Sequence, residues 1–273
     1  MARGEVVGAY LVPGLAPLGV GPEAGPWVEL RRACRTAAAA IDRLRPDVLV
    51  VWSSQWISVL GHLYQALPNP KGFHVDENWH AMGDFPFDVR VDVELVRAAV
   101  AATETRGLQA RGVAYEGFPL DTGTLVADRF LNGAARPLAC VSCNIYAGAE
   151  EERSLGAAAA EAVAALGRRA VAVCVSGLSG HVSTRDIEPG DDCVSAEDDA
   201  WNRRMLDVIG AGDNARAEEM APEFTRAAGA DMMFKGFSWL LGTIGRPDVR
   251  GRVLGYGPLW GTGAAVVEWD LSA

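Results

Sequence analysis

The chain has 273 residues, of which 49% are hydrophobic and 22% are charged, a composition typical of folded globular proteins rather than disordered ones. Its 25 basic and 35 acidic residues give a net charge of −10, which argues against a protein that binds nucleic acid by neutralising phosphates. No apolar run approaches the roughly 18 residues of a membrane span, so we expect no membrane-spanning helix.

The amino terminus and the cysteines predict a cytoplasmic protein. Residues 1–5 lead directly into the strand-like segment 6–12, and the amino terminus lacks the order of basic region, apolar core and cleavage site found in a secretory leader. The five cysteines are odd in number and widely spaced, unlike a disulfide framework. Cys140 and Cys143 have the Cys-x-x-Cys spacing, but they lie in an apolar strand without a second pair, so we expect buried thiols.

Apolar strand-like runs alternate with helical patterns along the chain. The predicted strands are 5–12, 47–52, 112–115, 137–143, 170–175, 252–256 and 263–269, and the predicted helices are 26–44, 92–106, 151–166, 196–209 and 214–228. Several of the strands are apolar on both faces, which indicates a sheet covered by helices on both sides. No linker or fixed-period repeat divides the chain. We therefore predict a single α/β domain over residues 1–273, with a mixed central sheet flanked by helices on both faces.

Residues 62–90 follow neither pattern and contain three prolines and two glycines. We predict a long loop here that covers a pocket or an interface. His74 and His80 lie in this stretch with Asp76 and Glu77 between them. Because a six-residue spacing matches no common zinc pattern, these histidines are expected to be loop or interface residues.

Ligands of open α/β sheets collect at the carboxyl ends of the strands. Four segments follow predicted strands in this way, at 12–17, 52–56, 118–124 and 176–181. Together with residues 73–80 and 256–265, they resemble the class III extradiol dioxygenases, the superfamily of the protocatechuate 4,5-dioxygenase catalytic subunit. The resemblance covers nearly the whole chain and is greatest to the two-subunit branch that cleaves 2-aminophenol. It implies the fold of that superfamily.

Catalytic members of this superfamily hold Fe(II) with two histidines and a glutamate. The resemblance places the first histidine in the loop 13–17, which here contains Gly14 and no histidine, and the second at Gln55. An amide carbonyl is a weaker ligand for Fe(II) than imidazole. The glutamate has no clear counterpart, because residues 254–260 contain no carboxylate and Glu268 lies on a strand-like run. The resemblance thus implies no metal ligand, and no cofactor, in this chain.

Two further positions of the superfamily surround the bound ring. A histidine that assists at the substrate is replaced in residues 121–123 by Thr122, whereas the histidine of the acid/base segment is kept in residues 176–181 as His181. A lone histidine at a strand end more commonly makes a hydrogen bond to the backbone. The resemblance therefore implies a vestigial acid/base at His181 and a substrate pocket lined by Gly14, Gln55, Asp121 and Thr122.

The replaced ligands lead to one hypothesis and two alternatives. The hypothesis is an α-type, non-catalytic subunit of an extradiol ring-cleaving dioxygenase for 2-aminophenol-like aromatics. It would support a homologous catalytic β-type subunit in an oligomer, and Fe(II) is expected in that partner. One alternative is a stand-alone enzyme of the superfamily with a remodelled, metal-free pocket and His181 as acid/base. The other is a protein that binds a small aromatic molecule without turnover. The missing ligands argue against iron but do not separate these three.

Overall fold

An eight-stranded sheet forms the centre of the computed structural model, which describes residues 4–118 and 120–272. Pro119 of the predicted 118–124 segment lies outside the described residues, as do residues 1–3 and Ala273. The strands are β1 (Glu5–Val12), β2 (Val48–Ser58), β3 (His62–Gln65), β4 (Lys71–His74), β5 (Phe85–Asp88), β6 (Ala110–Val113), β7 (Leu138–Asn144), β8 (Arg169–Val175), β9 (Arg252–Leu259) and β10 (Thr262–Asp270). Of these, β4 and β5 form a separate antiparallel hairpin.

Side-chain caps start several of the helices. Asp92 accepts a hydrogen bond from the backbone N–H of Leu95, and Ser195 and Asp213 cap two later helices in the same way, which satisfies N–H groups that a helix start leaves free. The helices are α1 (Ala16–Val20), α2 (Trp27–Leu44), α3 (Val93–Thr105), α4 (Thr122–Leu131), α5 (Ala149–Ala165), α6 (Ala196–Ala211), α7 (Asn214–Ala228) and α8 (Lys235–Ile244).

The sheet is mixed, as predicted, with the strand order β6-β3-β7-β2-β8-β1-β10-β9. Strands β7, β2, β8 and β1 are parallel at its centre, while β10 and β9 add antiparallel on one side and β3 pairs antiparallel with β7 on the other. Successive residues of a strand face opposite sides. Leu49 and Val51 therefore join the core under α2 and α4, whereas Val50 and Trp52 join the core under α3, α5 and α8.

The prediction of a continuous loop over residues 62–90 is wrong. The stretch contains β3, the β4–β5 hairpin and a short 3-10 turn at His80–Met82. Each of its strands has four residues, which is too short for a clear alternation of apolar and polar positions to appear in the sequence. Helix α4 was also missed, because its first turn, Thr122-Gly123-Thr124, has the composition of a loop.

All five cysteines are free, and Cys140 and Cys143 are buried as predicted. Among the helices of the described residues, none is both long and apolar enough to cross a membrane.

Glu152 is a fully buried acid on the first turn of α5. The indole Nε1 of Trp52 donates a hydrogen bond to its Oε2 at 3.0 Å, while Oε1 has no hydrogen-bond partner among the described residues. Burial raises the pKa of Glu152 from 4.5 to about 8, and the positive charge of Lys235 offsets only part of this effect. The folded protein therefore keeps a proton on Glu152 that the unfolded chain releases.

Glu152→Gln should make the stability of the protein less dependent on pH. Between the unfolded pKa and about pH 8, Glu152 holds a proton in the folded state that it lacks in the unfolded state. Its contribution to stability therefore falls as pH rises, by up to about 1.4 kcal/mol per pH unit. The glutamine cannot titrate, so the variant should gain stability relative to wild type across this window. Urea denaturation from about pH 5 to 8.5 measures it, with the exposed Glu150→Gln as control. Equal pH slopes for Glu152→Gln and wild type would contradict the expectation.

Candidate functional site

A cleft of about 1000 Å³ opens where β1, β2 and β8 end. This is the edge of a parallel sheet at which ligands of α/β proteins bind, and the volume is at the upper end of the usual range for small-molecule pockets. The structure brings four of the residues singled out in the sequence together in the cleft lining, namely Gly14, Gln55, Asp121 and Thr122. The hairpin contributes as well, because residues 74 and 76–79 line one side.

Gly14, just after β1, sits in a space that admits no side chain. A Cβ atom built on it would lie 2.4 Å from Cγ1 of Val175 and 2.8 Å from the Cα of Gly123. Both neighbours are fixed, one at the end of β8 and the other in the first turn of α4. A histidine at this position would therefore require the backbone to move.

Gln55 reaches the cleft because β2 bulges out of the sheet. The pairing of β2 with β7 passes from Ser53 directly to Ile57, so residues 54–56 have no partner on β7. The side-chain amide of Gln55 makes no hydrogen bond to another described residue and stays half-buried at the cleft wall. It is thus a neutral donor and acceptor available to a ligand.

Asp121 acts as the N-cap of α4. Its Oδ1 accepts hydrogen bonds from Oγ of Ser53 at 2.6 Å and from the backbone N–H of Thr124 at 2.9 Å. Its Oδ2 accepts another from the hydroxyl of Thr124 at 2.6 Å. Both oxygens are therefore engaged in holding the helix start against β2.

Thr122 joins the hairpin to α4 through its hydroxyl. This hydroxyl donates to Oδ2 of the buried Asp76 at 2.6 Å, and Nε2 of His74 lies 2.7 Å from the same oxygen. Because the hydroxyl has one hydrogen and gives it to Asp76, the Nε2 of His74 must be the donor in the second contact. Thr122, where the resemblance implies a substrate-side histidine in the superfamily, is thus part of a His74–Thr122–Asp76 network at the cleft wall.

His181 does not line the cleft, although its neighbours Gly180 and Val182 do. Its Nδ1 lies 2.9 Å and 3.1 Å from the two carboxylate oxygens of Asp198, and its Nε2 side packs against Gly229. We expected a lone histidine at a strand end to bond to the backbone, but the partner of His181 is the carboxylate of Asp198. An acid/base must come within hydrogen-bond reach of its substrate. The role of His181 stays a prediction, and the orientation of the ring does not support it.

Asp231 is a cleft carboxylate that the sequence analysis missed. It lies in the 3-10 turn Asp231–Phe234 between α7 and α8, and its Oδ2 accepts hydrogen bonds from Oγ of Ser54 (2.8 Å), Oγ of Ser176 (2.9 Å) and the backbone N–H of Gly177 (2.8 Å). The bonds join the segments after β2 and β8. A single acid in the apolar run 228–234 was the signal that could have indicated it.

The donors in the cleft do not fit Fe(II). Asp231 offers a carboxylate and Gln55 a neutral amide, while the loop 13–17 offers no histidine. His74 lies on β4, not in the loop after β1 or on β2, and its Nε2 is bonded to Thr122. In the described part of the chain, no group of three or more histidine, cysteine, aspartate or glutamate side chains is arranged to hold a metal ion. Glu268 lies outside the cleft lining, where its carboxylate binds Tyr10 and Arg252.

Comparisons with known proteins confirm the resemblance that the motifs indicated. Residues 15–267 match a family model described as the catalytic LigB subunit of aromatic ring-opening dioxygenase. The chain is 35% identical to the 2-aminophenol 1,6-dioxygenase alpha subunit of a Pseudomonas species, over 97% of this chain and 99% of that protein. It is 29% identical to a 2-aminophenol 1,6-dioxygenase beta subunit, also of a Pseudomonas species, over 99% of this chain and 96% of that protein. The crystal structure of an uncharacterized Escherichia coli K12 protein has the same fold, with a TM-score of 0.69 and 14% sequence identity. The superposition covers 96% of this chain and 99% of that chain.

Thr122→Val should loosen the hairpin without changing the size of the side chain. The substitution removes a donor to a buried carboxylate and an acceptor for His74, which should cost about 1–3 kcal/mol of stability. The substitution should also speed up backbone amide hydrogen exchange more in residues 74–79 than in the rest of the chain. Thr105→Val, which removes an exposed hydroxyl bonded to a helix carbonyl, is the matched control. Unchanged exchange in residues 74–79 would show that the network does not hold this wall.

Proposed function

Because this chain belongs to the family of LigB-type aromatic ring-opening dioxygenases, we propose that it is the α-type, non-catalytic subunit of an extradiol ring-cleaving dioxygenase. It would assemble with a homologous β-type subunit that carries Fe(II) and performs ring cleavage. The ring substrate of the assembly would be 2-aminophenol or a substituted relative, a proposal that follows from the names of the related alpha and beta subunits.

The packing around Gly14 carries this proposal. An iron site of the family's type needs an imidazole in the loop after β1. Residues 13–17 contain no histidine, and the Cβ of a histidine at Gly14 would meet Val175 and Gly123 at less than van der Waals distance. The second position presents Gln55, whose amide oxygen is a poor substitute for imidazole towards Fe(II). Asp231 alone, with one oxygen already occupied by three hydrogen bonds, does not complete a site.

The contribution of the chain to the assembly would be stability and shape rather than chemistry. A partner that binds only the folded form of the β-type subunit raises the free energy of unfolding of that subunit by mass action. The gain grows with the logarithm of the partner's concentration divided by the dissociation constant of the complex. We place this assembly in the cytoplasm, because four of the five free cysteines are buried thiols, as is usual in a reducing compartment.

Co-expression with a β-type subunit of a 2-aminophenol 1,6-dioxygenase tests the assembly. The two chains should co-purify at a fixed ratio, and the thermal midpoint of the β-type subunit should rise by several degrees in the complex. The lone chain should show no ring cleavage of 2-aminophenol under air with added Fe(II). Ring cleavage by the lone chain, or two chains that elute separately at micromolar concentration, would refute the proposal.

Gln55→His should fail to create an iron site. The substitution supplies one imidazole, but the loop after β1 contains no histidine, and Gly14 has no space for a side chain. Titration with Fe(II) without oxygen, or with Co(II) as a spectroscopic substitute, should therefore raise the thermal midpoint of the variant no more than that of wild type. The β-type subunit serves as the positive control. A stoichiometric Co(II) absorption band in Gln55→His would show that the remaining residues suffice for a metal.

A further inference from the structure

One oxygen of Asp231 is available to a ligand. All three hydrogen bonds to this carboxylate end on Oδ2, while Oδ1 accepts none from any described residue and is accessible to solvent. The side chain lines the cleft and is half-buried. The protein therefore holds the carboxylate of Asp231 in place through Oδ2, while Oδ1 can accept a hydrogen bond from a molecule in the cleft.

The backbone next to Asp231 is held in an unfavourable conformation. Met232, Met233 and Phe234 all have left-handed φ values, of 43°, 59° and 59°, which cost on the order of 1–3 kcal/mol each for residues other than glycine. The turn is fixed by Phe234, whose ring stacks on Phe237 at 5.1 Å. The N–H of Asp231 also donates to the carbonyl of Leu178 at 2.9 Å. A carboxylate positioned before the ligand arrives loses little entropy on binding it.

The charges in the cleft favour a cation. Among the described lining residues, five are acids and one is an arginine, Arg185. Asp76 and Asp121 receive their hydrogen bonds from hydroxyl and backbone N–H groups, so no positively charged side chain neutralises them directly. A cleft lined mainly by one sign of charge attracts ligands of the opposite sign and disfavours carboxylates. The five acids are Asp76, Glu77, Asp121, Asp186 and Asp231.

Two indole rings supply an apolar and aromatic wall. Trp79 and Trp260 meet edge to face with ring centroids 5.6 Å apart, and both line the cleft. Trp260 lies in the turn between β9 and β10, where the buried Asp192 accepts hydrogen bonds from its backbone N–H at 2.6 Å and from that of Gly261 at 2.8 Å. The faces of indole rings attract both apolar rings and organic cations.

We propose that this cleft binds a small organic cation, an ammonium group on an apolar or aromatic body, with the ammonium donating a hydrogen bond to Oδ1 of Asp231. The body lies against the indole wall, and no bond is made or broken. The inference does not depend on assembly with a β-type subunit, because every group it uses belongs to this chain.

Three probes of similar shape and different charge test the inference on the isolated full-length chain. They are 2-phenylethylammonium, 2-phenylethanol and 3-phenylpropanoate, with binding measured by calorimetry or NMR titration. The ammonium should bind saturably, the alcohol about tenfold more weakly or worse, and the carboxylate most weakly. Added salt should weaken the binding of the ammonium more than that of the alcohol.

Asp231→Asn identifies the residue responsible. Asparagine can still accept the three hydrogen bonds but loses the charge, so the preference for the ammonium over the alcohol should fall by about tenfold. Asp186→Asn removes the same charge from an exposed part of the lining and should change the preference by less than about threefold. If Asp231→Asn does not fold, the charge preference and salt dependence of wild type still decide the matter.

Three results would overturn the inference. The first is no saturable binding of the ammonium at millimolar concentration, and the second is alcohol or carboxylate binding as tight as the ammonium. The third is equal effects of Asp231→Asn and Asp186→Asn. None of these bears on co-purification with a β-type subunit, so failure of this inference and failure of the proposed assembly can be told apart.

Discussion

The close packing of Gly14 against Val175 and Gly123 is the constraint on which the functional account of this protein depends. It brings the end of β1 next to the end of β8 and the start of α4, and it leaves no volume for a side chain. In a densely packed protein such a contact cannot be relieved without moving the backbone. The family's iron chemistry needs a histidine in this loop. Residues 13–17 contain none, and at Gly14 a histidine would not fit without a shift of the backbone.

Hydrogen bonds around Gly14 hold this edge of the sheet together. Hydrogen bonds to Asp231 join the segments after β2 and β8, Asp121 joins β2 to α4, and Thr122 joins α4 to the hairpin. Each acid receives several donors, which offsets the cost of partial burial. The cleft is therefore held by a polar network made of this chain's own residues. This network accounts for the pocket if, as we propose, the chain holds no iron.

The sequence predicted the centre of the fold well because the central strands and long helices are marked by extended apolar runs, as in 48–52 and 170–175. It also placed Gly14, Gln55, Asp121 and Thr122 at one edge, since segments that follow parallel strands must meet there. The strands of 62–90 escaped because four residues show no clear period. Asp231 escaped because its partners, Ser54 and Ser176, are far away in the chain. The orientation of His181 depends on Asp198 in α6, a contact that no local pattern records.

The iron content of the assembled complex tests the central claim most directly. When the chain is co-purified with a β-type subunit under anaerobic conditions, metal analysis should find one iron for each β-type chain and no more, and the chain separated from that complex should retain none. Two irons for each pair of chains, or iron that stays with this chain after separation, would contradict the account and show that the residues around Gly14 rearrange to hold a metal.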